Sequence, residues 1–353
     1  MKQSSPLILI DFLKVFAALM IILHHLSSYG QIAEDARGVL PGVMTWLFEY
    51  GRYAVQIFLV MAGYLAAQSL SRHANTKFSA HGLLKLILNR YLRLFTPYAA
   101  ALIFTIVCAY IARLWVNDEF VGESETLAQF LAHLFFIQGI LGLDSISAGA
   151  WYVAIDWQLY SVLAILFLSF PSYQALIWLL SILAVSSLLF FNRSTDYEAY
   201  FIYFIGSYGL GVLAYLASGF QDAGVKRVAK IALILIGLLI AAASLQEIWL
   251  RNFLAWFVAL ALYLWGSTQY PQGIAQSGLS RVIAWGSQRS YCAFLIHFAF
   301  ILLANTLYIA IGLHARESGA LAIVLMLGVL ACSIFTANYV YRWIEIPANK
   351  LKV

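Results

Sequence analysis

Ile8-Leu9-Ile10-Asp11-Phe12-Leu13-Lys14-Val15-Phe16-Ala17-Ala18-Leu19-Met20-Ile21-Ile22-Leu23-His24-His25 is apolar enough to enter a bilayer, yet it carries Asp11, Lys14, His24 and His25. An ionisable group at the centre of a membrane helix costs roughly 2.5–3.5 kcal/mol on insertion scales, so it faces a bundle interior and has a partner or a task. At about 100° and about 1.5 Å per residue, Lys14 and His25 point within about 20° of each other, about 16 Å apart along the axis. Asp11 precedes Lys14 by three residues and is placed to pair with it, whereas His24 points about 100° away from His25. One polar stripe therefore runs along this helix. An orientation-fixing ion pair plus a hydrogen-bonded core histidine would give the same stripe.

The rest of the chain repeats the apolar theme. Its 353 residues are 63% hydrophobic and only 10% charged, with a mean hydropathy of +0.84. Soluble, disordered and coiled-coil classes are excluded by that balance. Ten windows long enough to cross fall at 7–29, 53–71, 92–113, 150–170, 174–191, 198–217, 229–246, 250–267, 290–312 and 319–342. The expected fold is an all-α polytopic membrane protein of about ten transmembrane helices, forming one membrane domain over 1–353 with no separate soluble domain. Leu127–Leu143 is apolar but short, and reads as an interfacial or re-entrant segment. Lys2, Arg72, Lys77, Lys85 and Lys352 fall on the N-terminal side of this topology; Glu49, Asp118 and Glu317 fall opposite, with Arg52 and Arg316 among the few bases there. Both termini are thus expected in the cytoplasm. The net charge of +5 sits in particular loops rather than along a stripe, which argues against nucleic acid. Cys108, Cys292 and Cys332 fall inside spans without CxxC spacing, so buried thiols are expected and neither a disulfide nor a metal site.

Four further stretches carry chemistry. Asp156, in Trp151-Tyr152-Val153-Ala154-Ile155-Asp156-Trp157-Gln158-Leu159-Tyr160, lies about 9 Å into its span, at a depth comparable with that of His25. A carboxylate there is suited to orient an imidazole and stabilise its protonated form, or to accept a hydrogen bond structurally. Trp151, Tyr152 and Tyr160 line that span; such aromatic residues form interfacial belts and also stack on sugars. Arg90 and Arg93 share one helical face at the expected cytoplasmic boundary, as a positive-inside flank or as two forks for phosphate oxygens. His297, in Ser290-Tyr291-Cys292-Ala293-Phe294-Leu295-Ile296-His297, is expected about 10 Å in from the cytoplasm, near the level of Lys14. The last span runs into Tyr341-Arg342-Trp343-Ile344-Glu345-Ile346-Pro347, where the proline is expected to end the helix.

In this order on ten spans, these stretches resemble the acyltransferase-3 family of integral membrane O-acyltransferases. Asp11, Lys14 and His25 occupy the places of that family's acid, arginine and histidine in the first span. Phe58-Leu59-Val60-Met61-Ala62-Gly63-Tyr64 resembles its aromatic Ser-Gly signature, Arg90 and Arg93 its Arg-x-x-Arg, and Trp151 to Tyr160 its tryptophan-to-glutamate stretch. Ser290, Tyr291 and His297 resemble its Ser-Tyr…His, and Glu345 with Pro347 its closing Glu-x-Pro. Lys14 stands where arginine is usual, Asp156 where glutamate is, and Ala62 where serine is. Lysine keeps the charge but lacks the planar fork.

The resemblance implies an acyl-CoA donor, commonly acetyl-CoA, and an acceptor hydroxyl on a cell-envelope glycan or lipid-linked saccharide at a bacterial inner membrane. It further implies His25 as general base, Asp156 and Lys14 beside it in catalysis, and donor binding by Arg90, Arg93, Lys14 and His297. Trp151, Tyr152 and Tyr160 would meet substrate, with Asp11, Ser290, Tyr291 and Glu345 in support. A transporter is the alternative: intramembrane Asp11, Lys14, Asp156 and His297, together with Gly206-Ser207-Tyr208-Gly209-Leu210-Gly211, would suit export of an acidic or sugar substrate. A non-catalytic sensor or assembly subunit is a third class.

Overall fold

The computed structural model describes residues 8–73, 79–170, 172–266, 268, 277–314 and 318–351, so Lys2, Lys77, Arg316, Glu317 and Lys352 of the charge asymmetry lie outside the described residues. The chain is 82% helical, with no strand among the described residues. All ten expected spans are helices: α1 (Ile8–Ser28), α4 (Ala54–Leu70), α5 (Ala80–Trp115), α7 (Ala150–Ser169), α8 (Tyr173–Leu189), α9 (Phe201–Ser218), α10 (Ala223–Ala243), α11 (Leu250–Trp265), α12 (Gly278–Ala310) and α13 (Gly319–Val340). Among the described residues, eight helical stretches are long and apolar enough to cross. The helices below that standard are α10, which carries Lys226, Arg227 and Lys230 in its first half, and α11, only 16 residues long.

Several helices extend beyond their apolar windows into stretches expected to be hydrophilic loops. Residues expected as a loop over 30–52 form α2 (Gln31–Val39) and α3 (Pro41–Tyr50), joined by a 3₁₀ turn to α4. Ser79 caps α5 through Gly82 N–H and Ser277 caps α12 through Ser280 N–H. These two helices have 36 and 33 residues; they are about 54 and 50 Å long, well beyond the roughly 30 Å of bilayer hydrocarbon. Pro347 does not end the last helix. The chain passes from α13 through a π turn at Tyr341–Glu345 into a short turn at Ile346–Ala348.

The centre of the bundle is α9, 83% buried and packed on α4, α7, α8, α10 and α11. Its glycines allow this. A methyl group on Gly211 would overlap the Val60 carbonyl oxygen, and one on Gly63 the Tyr208 carbonyl oxygen, so α4 and α9 meet backbone to backbone. Around them, α1 packs on α12, α4 and α3, while α5 packs on α12 and α7. The peripheral α13 is only 28% buried. Its Cys332 faces outward, correcting the expectation of a buried thiol; Cys108 and Cys292 are buried.

The segment Leu127–Leu143 runs back alongside α5. Its approach is tied near the far end of α5, where Arg113 meets Glu125 at 2.6 Å. Thr126 then starts α6 (Leu127–Leu134) with a capping box to Gln129. At the end of α6, Leu134 C=O accepts from Tyr91 Oη at 2.8 Å, about 33 Å back along α5 from Arg113. The turn is made by Phe136, whose φ of 59° is rare for an L side chain and whose ring packs against Tyr91, Tyr98 and Trp157. His133 donates from Nδ1 to Gln129 C=O and accepts Ile146 N–H at Nε2, holding the return strand of the loop.

Because backbone, rather than a movable side chain, would be displaced, Gly63→Ala and Gly211→Ala are each expected to destabilise the protein by about 1–3 kcal/mol. Gly38→Ala, with open space at that position, is the neutral comparison. Thermal unfolding of detergent-solubilised protein, read by size-exclusion fluorescence, measures the difference.

Candidate active site

Two parallel helices build the site. His25 lies about 25 Å from the start of α1 and His297 about 28 Å from the start of α12, so the two side chains meet at one level. His25 Nδ1 is 2.6 Å from His297 Nε2, with the rings nearly parallel at 9° and their centroids 4.9 Å apart. Both residues are buried. His297 therefore does not sit near Lys14. The expected level took the helix to start at 290, whereas α12 begins at Gly278.

The hydrogen bonds assign the protons. His297 Nδ1 is 2.7 Å from Phe294 C=O, which only accepts, so Nδ1 carries the hydrogen. In the neutral pair His297 Nε2 is then bare and accepts from His25 Nδ1–H. His25 Nε2 is left with a free lone pair. Such an imidazole can accept a proton at Nε2 while its Nδ1–H stays hydrogen-bonded, the arrangement general-base catalysis requires.

Asp156 does not orient His25. Its carboxylate accepts from Arg90 Nη2 at 2.5 Å and Arg90 Nε at 3.2 Å. Arg90, expected at the cytoplasmic boundary, and Asp156, expected at the depth of His25, therefore sit at one level. Since α5 begins at Ala80, Arg90 lies about 15 Å inside it. In a low-dielectric interior a carboxylate and a guanidinium lose most by staying unpaired, so they take each other before either takes a neutral imidazole. Tyr160 stacks on the pair, its ring 5.2 Å from the Arg90 guanidinium. The Asp11–Lys14 pairing is also not formed: the described ion pairs are Arg90–Asp156, Arg113–Glu125 and Arg193–Glu247, and Asp11 accepts from Ser287 Oγ at 2.7 Å.

Toward the starts of α1 and α12, a second polar zone continues from the histidine pair. Lys14 lies in electrostatic reach of Asp11, Arg93 and Glu345. Arg93 is exposed and lies within electrostatic reach of Arg90, Glu345, Asp156 and Tyr291. Cys292 donates to Glu345 at 2.9 Å, Tyr291 donates to Leu94 C=O at 3.1 Å, and Ser290 donates to Ser287 C=O within its own helix. Beside the pair, Tyr152 packs edge-on to Phe294 and against Phe58, and Trp151 stacks on Phe204 at 5.3 Å.

Residue spacing alone missed two participants. Ser287 fixes Asp11, and nothing local to Ser287 signals this. Tyr208 is fully buried within reach of Asp156, Arg90, Tyr160 and Tyr152, yet its hydroxyl has no hydrogen-bond partner. Its glycine-rich surroundings were visible in sequence, but their use is helix packing.

The chain matches the acyltransferase-3 family model, described as an acyltransferase domain, over residues 7–338. It therefore belongs to the acyltransferase-3 family and is a membrane-embedded acyltransferase. No curated protein and no solved structure matches it.

Removing one partner of a buried ion pair leaves an uncompensated charge, at a cost of about 3–5 kcal/mol. Asp156→Asn is therefore expected to lower thermal stability strongly. Arg90→Gln combined with Asp156→Asn should recover a large part of the loss, because neither charge then remains. A cycle of thermal denaturation midpoints for the single and double variants measures this coupling.

Proposed function

We propose that the protein transfers an acetyl group from acetyl-CoA, entering from the cytoplasmic side, to a hydroxyl of an envelope glycan or lipid-linked saccharide at the bacterial inner membrane. The observation that carries this reading is the free Nε2 of His25, held in one tautomer by His297 and through it by the Phe294 carbonyl. The acceptor O–H gives its proton to His25 Nε2 as the oxygen attacks the thioester carbonyl. The new C–O bond forms, the C–S bond breaks, and the proton passes from His25 to the departing sulfur, yielding ester and free CoA. His297 is a positioning residue. It accepts from Nδ1–H throughout and stabilises the imidazolium, the role that Asp156 is too engaged with Arg90 to fill.

Donor binding falls to Arg93 and Lys14. Arg93 is the accessible member of the arginine pair, and with Lys14 it offers positive charge to nucleotide phosphates in the cleft. Trp151 and Tyr152 are held by aromatic neighbours beside the pair and narrow the space for the acyl chain, which favours a short one.

Losing a general base removes about 10²–10⁴ of rate, so His25→Ala should abolish the acetyl-sized mass on surface glycans while leaving membrane levels of the protein unchanged. Mass spectrometry of glycans from a deletion strain complemented with each variant tests this; a retained mass overturns the assignment. His297→Gln, which keeps a side-chain acceptor, should retain more kcat than His297→Ala, and neither should shift the KM for acetyl-CoA. Equal losses in the two variants would assign His297 to packing.

A further inference from the structure

On the side of α12 turned away from α1 lies a cation that the histidine pair does not use. Ser287 faces Asp11 on α1, and two residues on, a rotation of about 200°, Arg289 faces α13. Arg289 is only 7% exposed. Its guanidinium sits between two aromatic rings, 4.5 Å from the centroid of Trp285 and 4.8 Å from that of Tyr341. Arg289 Nε donates to Asn338 Oδ1 at 2.8 Å, and Nη1 donates to Trp285 C=O at 2.9 Å and to Gln288 Oε1 at 3.4 Å. All three acceptors are neutral. Nη2 has no hydrogen-bond partner among the described residues, and it is not shut off from solvent as the unpartnered Arg251 Nε is.

An arginine does not shed its proton, so this covered guanidinium keeps its charge. No carboxylate pairs with it among the described residues, whose ion pairs all lie elsewhere. Glu345, the acid of the turn after α13, accepts from Cys292 and lies in reach of Arg93 and Lys14 instead. What Arg289 has in electrostatic reach is a second cation, the exposed Arg342. Arg281, also exposed, adds a third about 12 Å back along α12 and within about 80° of the same direction. The two rings offset part of the cost of covering a cation, but they supply no negative charge. The apolar run of α12 begins after Ser290, which puts Arg289 at the level of lipid headgroups, with Trp285 and Trp343 exposed beside it as interfacial aromatics are.

From this arrangement we infer that the seam between α12 and the turn after α13 binds the phosphate of an anionic membrane phospholipid. Arg289 Nη2, fixed in direction by the bonds to its other nitrogens, takes a phosphate oxygen, and Arg342 and Arg281 supply the surrounding positive charge. The acyl chains lie on the apolar side of the seam, where Phe335 and Leu327 of α13 are exposed. A zwitterionic headgroup brings an ammonium that three arginines repel. A nucleotide phosphate has the same oxygen chemistry but no chains to cover this face. The site goes beyond acyl transfer and does not depend on it.

The test uses full-length protein in a neutral detergent, titrated with dioctanoyl phosphatidylglycerol or dioctanoyl phosphatidylcholine, with bound lipid read by native mass spectrometry. The glycerol lipid should bind with an apparent Kd about ten-fold below that of the choline lipid. Arg289→Gln should raise the Kd for phosphatidylglycerol about ten-fold, the scale of one charge-assisted contact. Arg342→Gln, at an exposed position that leaves the packing of the seam intact, should raise it about three-fold, so the site stays testable if Arg289→Gln does not fold. His25→Ala should leave it unchanged, which separates this site from the fate of the acyl-transfer reading. Equal binding of the two lipids, or a phosphatidylglycerol Kd unmoved in the arginine variants, overturns the site and assigns Arg289 to helix packing. Free CoA that displaces phosphatidylglycerol and itself loses affinity in Arg289→Gln overturns the lipid as occupant and gives the site to a nucleotide phosphate.

Discussion

A carboxylate and a guanidinium buried between α5 and α7 organise this bundle. Hydrocarbon offers no water to satisfy a charge, so Asp156 and Arg90 find each other, with Tyr160 stacked on the guanidinium. That contact fixes how far α5 extends past α7. It also removes Asp156 from the neighbourhood of the imidazoles and leaves the histidine pair to be completed by neutral groups alone. The division of roles within the site follows from it: paired charge holds the scaffold, and uncharged nitrogen carries the lone pair.

The two histidines form a relay of a different kind from an acid–histidine couple. A carbonyl at the end of the relay cannot take a proton, so the tautomer of His297 is set by covalent backbone structure rather than by a titrating group. The tautomer of the relay therefore does not depend on the charge of a neighbouring side chain. Lys14, Arg93 and Glu345 can respond to an anionic ligand without altering which nitrogen of His25 is bare.

Much of the scaffold was legible because apolar runs of membrane length have few other uses. All ten spans are helices, and Lys14 and His25 do share an inward face, as 3.6-residue periodicity dictates. The errors have one source: periodicity gives direction around a helix, not which helix lies opposite or at what height. His297 was placed by counting from Ser290, but α12 starts at Gly278, and the added turns carry the imidazole from the level of Lys14 to that of His25. Arg90 and Asp156, expected at different depths, share one level, which spacing along either helix alone does not give. Asp11 chose the hydroxyl of Ser287 over its own neighbour Lys14, a preference that exists only once α1 and α12 are docked. Glycines 206, 209 and 211 lie in the glycine-containing helix that would suit a transporter; in the structure Gly206 and Gly211 are among the positions that bring α9 against its neighbours.

The sequence distance across the histidine pair has a consequence for biogenesis. His25 and His297 are 272 residues apart, and Asp11 and Ser287 are 276 apart. During synthesis the first helix leaves the ribosome long before the helix that satisfies it. Throughout that interval Asp11, Lys14 and His25 must stay hydrated at the translocon or be shielded by an insertase. Commitment of α1 to its final seat is therefore a late event, and the histidine pair comes into being only when α12 has been made.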